Sequence, residues 1–183
     1  MHNKGTQTLE TNRLILRQFC YDDAEIMYKN WASDSKVTEF LRWSPHSSVD
    51  VTNAVLDDWI SRYPDPAYYN WAIELKEIGE IVGNISVIKL DEKVQAADIG
   101  YCMGCYWWGQ AIMPEALSVV IRFLFDEVEI NRIAACHDSN NPKSGRVMIK
   151  SGMKLEGVLR ASAINKHGIY DRVWYSILRN DER

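Results

Sequence analysis

The stretch Trp108-Gly109-Gln110-Ala111-Ile112-Met113-Pro114-Glu115-Ala116 decides how this chain is read. Its small residues, Gly109 and Ala111, let a ligand come close to the backbone. It then enters a helix with Pro114 in the first turn, where a missing N–H is not needed. The free N–H groups of such a helix start form a natural anion site, although spacing alone also allows an ordinary strand-to-helix turn. Downstream, Leu117, Val120, Ile121, Leu124 and Val128 recur at helical spacing, which predicts a helix over 114–127 with one buried face. Upstream, 97–103 predicts a strand.

Working outward, Leu14, Leu16 and Phe19 together with Arg13 and Arg17 predict a half-buried first strand. Asp22 or Asp23 caps a helix running to about Ser33. Ser47-Ser48 leads into a second helix over 49–63, closed by Pro64 and Pro66. Two strands follow, 69–75 and 81–90, joined by the turn at 76–80. Beyond the central helix, 132–137 reads as a strand and 143–151 as a short helix closed by Gly152. The last two strands, 154–163 and 169–178, meet at Lys166-His167-Gly168. This order implies an α/β fold: a mixed sheet with helices on both faces. No repeat or linker interrupts it, so 1–183 reads as one domain, with 1–8 a flexible or edge-lying segment.

The 183 residues are 46% hydrophobic and 25% charged, the composition of a folded chain. With 21 Lys+Arg against 25 Asp+Glu the net charge is -4, so no basic nucleic-acid surface is expected. No run approaches the roughly 18 apolar residues of a membrane span. Residues 1–10 lack the apolar stretch of a secretory signal, so no membrane partner and a cytoplasmic location are expected. Cys20, Cys102, Cys105 and Cys136 are too scattered for a disulfide scaffold. Cys102 and Cys105 form a lone C-x-x-C. The four histidines are dispersed, so no metal site is expected and the thiols read as reduced and partly buried.

No Lys or Arg lies between Cys105 and Ile121. An anion at the loop would therefore draw its cations from elsewhere. Lys143, Arg146 and Lys150 offer them on one face of the short helix, where a solvated surface is the equal alternative. Asn140 or Asn141 can cap that helix or turn an amide to a ligand.

These pieces carry a resemblance. Leu9 to Arg17, Ile99-Gly100-Tyr101, Trp107 to Gln110, Glu115-Ala116, Asn141 to Ser144 with Lys150 to Met153, and Glu156-Gly157 follow in order and spacing. Together they resemble the GNAT superfamily of N-acetyltransferases, and within it the RimJ/RimL-type ribosomal-protein-alanine acetyltransferases. The resemblance implies acetyl-CoA as co-substrate, with its pyrophosphate on a loop of pattern Q/R-x-x-G-x-G/A. Laid on this chain, Trp108 takes the first position and Gly109 and Gln110 follow. Ala111 stands where Gly is expected, then Ile112, and Met113 stands where Gly or Ala is expected. Tyr101, Cys102 and Met103 would present backbone groups to the pantetheine arm, and Asn141 would bond it near the thioester. Arg146 and Lys150 would add charge.

Acetyl transfer needs a neutral amine, a polarised carbonyl and a stabilised leaving thiolate. Where many such enzymes place a Tyr on the short helix, this chain has Met148, so Ser144 is the substitute candidate. Asp98, acting through water, and His137, an imidazole, are the candidate bases. The acceptor implied is a peptide N-terminus or a small-molecule amine, and the net charge of -4 suits a cationic one. Tyr28, Trp31, Trp43 and Trp59 are candidates to line its cleft or to fill the core. A homodimer, a non-catalytic acetyl-CoA-binding module and a protein that binds no CoA stay open.

Overall fold

The computed structural model describes residues 1–181. The strands are β1 (Leu9–Glu10), β2 (Leu14–Arg17), β3 (Asn70–Leu75), β4 (Glu80–Asp91), β5 (Ala96–Met103), β6 (Arg132–Asp138), β7 (Lys154–Asn165) and β8 (Gly168–Leu178). The helices are α1 (Ala24–Met27), α2 (Val49–Arg62), α3 (Ile112–Asp126) and α4 (Pro142–Lys150). The strands form one open sheet in the order β1-β2-β3-β4-β5-β6-β8-β7. Each pair is antiparallel except β5 and β6, which α3 connects as a crossover. This is the mixed α/β sheet that the sequence predicts.

Strand side chains alternate between the two faces. On one face Leu14, Leu16, Trp71, Ile73, Ile85 and Ile99 pack against α3 and Met148 of α4. On the other, Ala72 and Ile81 pack against Met27, Trp31 and Leu56. All five residues whose spacing predicted the buried face of α3 are at most 4% exposed. Each such burial contributes about 1.5–3 kcal/mol, so the packing that holds α3 also fixes where its N-terminus points.

Two elements depart from the sequence reading. The first helix is in three pieces: a 3-10 turn at Tyr21–Asp23, then α1, then a π turn at Tyr28–Ala32. Ser33 closes the π turn, its N–H and Oγ both donating to Tyr28 O at 3.2 and 2.8 Å. A serine hydroxyl competing for a helix carbonyl is invisible to apolar periodicity. The first strand stops at Arg17, and β1 adds an outer edge. Residues 1–8 are held against the sheet, where Thr6 Oγ1 donates to Tyr68 O at 3.0 Å and Trp71 Nε1 donates to Gln7 O at 2.7 Å.

The feature that positions the site is a fork. β5 and β6 pair only at Ala96↔Arg132, Ala97↔Ile133 and Asp98↔Ala134. Beyond Asp98, β5 keeps β4 on one side as far as Met103 and, among the described residues, has no strand on the other. Gly104 N–H donates to Val82 O at 2.9 Å. Alternation along the strand therefore turns the backbone groups of Tyr101 and Met103 away from β4, into the fork.

Candidate active site

The fork opens into a cleft of about 720 Å³. Tyr101, Cys102 and Met103 form its strand wall, and Trp108, Gly109, Ala111, Ile112 and Met113 its loop wall. Asn141, Ser144, Arg146 and Lys150 form its helix wall, with Lys143 beside them. Residues far apart in sequence thus converge on one hollow.

The loop owes its shape to two left-handed residues, Gly109 at φ 81° and Ala111 at φ 58°. Glycine takes that conformation freely, whereas for an alanine it costs roughly 1 kcal/mol. Among the described residues, the N–H groups of Gly109, Ala111, Ile112 and Met113 have no acceptor, and no side chain caps α3. A row of free donors at a helix start is an anion site by construction. Trp108 ties the loop in place. Its Nε1 donates to Met103 O at 2.9 Å, and Lys143 Nζ sits 5.2 Å over its ring.

A second brace comes from the N-terminal segment. Arg13 Nε donates to Glu115 Oε2 at 2.7 Å, Thr11 Oγ1 donates to Glu115 Oε1 at 2.5 Å, and Arg13 Nη1 donates to Gln110 O at 3.0 Å. Burial pushes the Glu115 carboxyl up, but the bonds from Thr11 and Arg13 outweigh it and hold the pKa below its ordinary value. β2 and α3 are therefore locked together at the turn where the free N–H groups begin.

On α4, Asn141 occupies the cap position without a side-chain cap bond, which leaves its amide to the cleft. The Tyr101 hydroxyl lies 3.0 Å from both Ser144 O and Ser144 Oγ. A carbonyl can only accept, so the phenol proton goes to Ser144 O and the serine hydroxyl donates to the phenol oxygen. Burial raises the Tyr101 pKa, and the bond with Ser144 opposes it only in part. The phenol therefore stays protonated. Met148 is buried at 1% exposure and belongs to the core.

Residues 13–154 match the family described as acetyltransferase (GNAT) domain. The chain belongs to the GNAT acetyltransferases. It is 30% identical over 174 residues to the uncharacterized N-acetyltransferase YoaA of Bacillus subtilis (strain 168), covering 95% of this chain and 98% of that one. It is 36% identical over 160 residues to the [ribosomal protein uS5]-alanine N-acetyltransferase of Escherichia coli (strain K12), covering 81% and 79%. Among solved structures, the microcin C7 self immunity acetyltransferase MccE, in complex with acetyl-CoA and AMP, superposes with a TM-score of 0.82 at 21% identity, covering 92% and 93%.

In this GNAT acetyltransferase three of the sequence candidates stand outside the cleft wall. Gln110 turns back, its Nε2 donating to Tyr106 O at 3.1 Å. Asp98 sits on the opposite sheet face at the last rung before the fork, in a hollow shared with Lys89 and Arg132. Burial raises its pKa, against the pull of Lys89, Arg132 and Arg172. His137 packs beneath α4. Its Nδ1 donates to Asp138 O at 2.7 Å, its ring stacks on Tyr175 at 5.9 Å, and its Nε2 faces Gly145.

Three of the early aromatics go to the core, one of the two places that the sequence reading gave them. Trp31 is fully buried, and Trp43 and Trp59 pack against that second core. The wall facing α4 is instead Lys36, Val37, Phe40 and Leu41, from the connection between the first two helical segments. That loop has neither periodicity nor motif, so nothing in the sequence singled it out. All four cysteines are free thiols, with Cys102 Sγ donating to Asn84 Oδ1 at 2.9 Å and Cys105 Sγ to Asp34 Oδ2 at 3.0 Å.

Proposed function

We propose that this chain transfers the acetyl group of acetyl-CoA to a primary amine, a peptide N-terminus or a small-molecule amine, in the manner of the RimJ/RimL-type group and in the cytoplasm. The observation that carries the reading is the row of free N–H groups at Gly109, Ala111, Ile112 and Met113, opening into the same cleft as the unpaired edge of β5. The residues present fit acetyl-CoA. The loop donors suit a pyrophosphate, Lys143, Arg146 and Lys150 supply the charge that the loop lacks, and the Asn141 amide and the β5 edge suit an amide-rich arm.

The thioester supplies the activated acyl group. The N–H groups of Tyr101 and Met103 point to the open side of β5, where they polarise an acyl carbonyl. Tyr101, kept protonated, gives up its bond to Ser144 O and passes that proton to the departing sulfur, while the Ser144 hydroxyl keeps donating to the phenolate oxygen left behind. It takes over the role that a tyrosine at Met148 would play. Asp98 lies on the other side of the fork and draws the amine's proton away through water. His137 serves as a spacer under α4, since its Nδ1 is engaged and its Nε2 abuts a helix backbone. The buried Met148 also fits the reading as a non-catalytic module, and thiol release separates the two.

The test is calorimetric titration with acetyl-CoA, followed by thiol release with amines that include peptides beginning in Ala or Ser. Micromolar binding with amine-dependent release is expected. Binding without release favours the module, and no binding ends both readings.

A further inference from the structure

The helix wall of the cleft has a support that neither the loop nor β5 supplies. Asp138, the last residue of β6, is 5% exposed and, among the described residues, pairs with no cation. Arg172 stands opposite it in register but gives its Nε to Ser162 Oγ at 3.1 Å. Amide N–H groups occupy the carboxylate instead. Oδ1 accepts from Asn140 N at 2.9 Å and from Asn140 Nδ2 at 3.1 Å, and Oδ2 accepts from Asn165 Nδ2 at 2.8 Å. The Asp138 carbonyl takes the Asn141 N–H at 2.7 Å, so one residue ties the whole turn that opens α4. Asn140, Asn141 and Ser144 line the cleft from that turn.

The third amide comes from a distance. Asn165 ends β7, the outer edge of the sheet, and β8 lies between β7 and β6. β7 breaks register between Leu159 and Ala163, with Ala161 at φ 46° and its N–H donating to Asp171 Oδ1 at 2.7 Å. Such a bulge bends a strand, and the bent end of the hairpin brings Asn165 to Asp138. The Asn165 amide cannot be reversed there at no loss, because its Oδ1 accepts from His167 N at 2.8 Å. A buried carboxylate must keep its donors, so these bonds fix the groups that make them.

We propose that Asp138 is a positioning residue: through its carboxylate the β7–β8 hairpin sets the Asn140–Asn141 turn, and so presents the Asn141 amide to acetyl-CoA. This rests on the acetyl-CoA reading of the cleft and adds the end of the hairpin to the parts that shape it.

The experiment titrates the whole protein with acetyl-CoA by calorimetry and follows thiol release, in the wild type and three variants, with a thermal melt of each. Asp138→Asn keeps the size of the side chain and its bonds to Asn140, but sets one NH2 group against that of Asn165. Affinity for acetyl-CoA is expected to fall about tenfold. The loss should show as a rise in KM for acetyl-CoA, with kcat held within about twofold. Asn165→Ala, at a half-buried position, should reproduce that loss with Asp138 in place, and it carries the test if Asp138→Asn does not fold. The double variant, Asp138→Asn with Asn165→Asp, exchanges donor and acceptor. Its new carboxylate can take both the His167 N–H and the new amide, so affinity should return to within about threefold of the wild type. Unchanged affinity in a folded single variant, an equal fall in kcat, or a folded double variant that stays weak overturns the proposal and leaves the transferase reading standing. Failure of the wild type to bind acetyl-CoA is the separate result that removes the reading itself.

Discussion

The two mouths of the fork are built on opposite plans. On the loop side, free backbone N–H groups at the start of α3 are braced by Arg13, Thr11 and Glu115 and tied to β5 through Trp108. On the other side the sheet presents side chains, Asp98 on β5 and Arg172 and Trp174 on β8, with Arg172 Nε donating to Ser162 Oγ at 3.1 Å. Backbone donors recognise what every member of a family shares and tolerate changes of side chain. Side-chain receptors specify one acceptor.

The largest effect is expected where the two mouths meet. Tyr101→Phe removes the phenol proton but keeps the ring, so thiol release should slow about 100-fold while calorimetry gives an unchanged acetyl-CoA affinity. Ser144→Ala should act in the same direction and less. A fall in affinity instead of rate would make Tyr101 a wall of the cleft only.

Next is the brace. Glu115→Ala leaves Arg13 and Thr11 without their shared acceptor at a cost of about 1–3 kcal/mol, and acetyl-CoA affinity should fall about tenfold as the loop loosens. The same carboxylate predicts a pH dependence. Its folded pKa lies below the unfolded value, so its contribution is complete above the unfolded pKa and is lost as pH falls through the folded one. Glu115→Gln should flatten that acid limb in thermal melts. Melts with the same acid slope in both proteins would show that the pair lends the loop no rigidity.

How much of this was legible follows from what each part is made of. The helix α3 and the strands other than β1 are written in periodicities and turn signals that packing merely confirms. The loop from Trp108 was visible because its small residues and its entry into a helix have a physical meaning in sequence. The brace was half visible: Arg13 and Glu115 both belonged to the resemblance, yet nothing in the sequence says that they touch, because a contact across 102 positions has no local signal. The fork was hidden for a related reason. That β5 and β6 part company after Asp98 is a property of a parallel pair joined through α3, and strand residues look alike whether or not they have a neighbour. His137 shows the same limit from the other direction. A histidine at a strand end next to a cofactor-type helix is a reasonable base by spacing, but its placement depends on Gly145 lying over it.

That last contact can be broken directly. A Cβ at Gly145 would stand 2.6 Å from His137 Nε2, so Gly145→Ala overpacks the seam between α4 and β6 and should cost about 1–3 kcal/mol. His137→Ala makes room, and the double variant should recover much of the loss, a coupling that a thermodynamic cycle measures. His137→Ala alone should retain thiol release at an unaltered pH profile. Loss of an ionisation near neutrality in that profile would return His137 to the list of bases.

The smallest and sharpest change is Ala111→Gly. Ala111 holds a left-handed conformation that costs an alanine about 1 kcal/mol, while a glycine there gives the unfolded chain more freedom to lose, worth about 0.4–1 kcal/mol in the other direction. The two nearly cancel, so stability should move by less than about 1 kcal/mol. Affinity for acetyl-CoA is a different matter, because it depends on the Ala111 N–H presenting itself at the surface of the loop. Glycine removes a methyl from that surface without moving the donor, so affinity should be equal or slightly tighter. A clearly weaker affinity would mean that the alanine's methyl holds the N–H row in place, and that side chains shape even the mouth built from backbone.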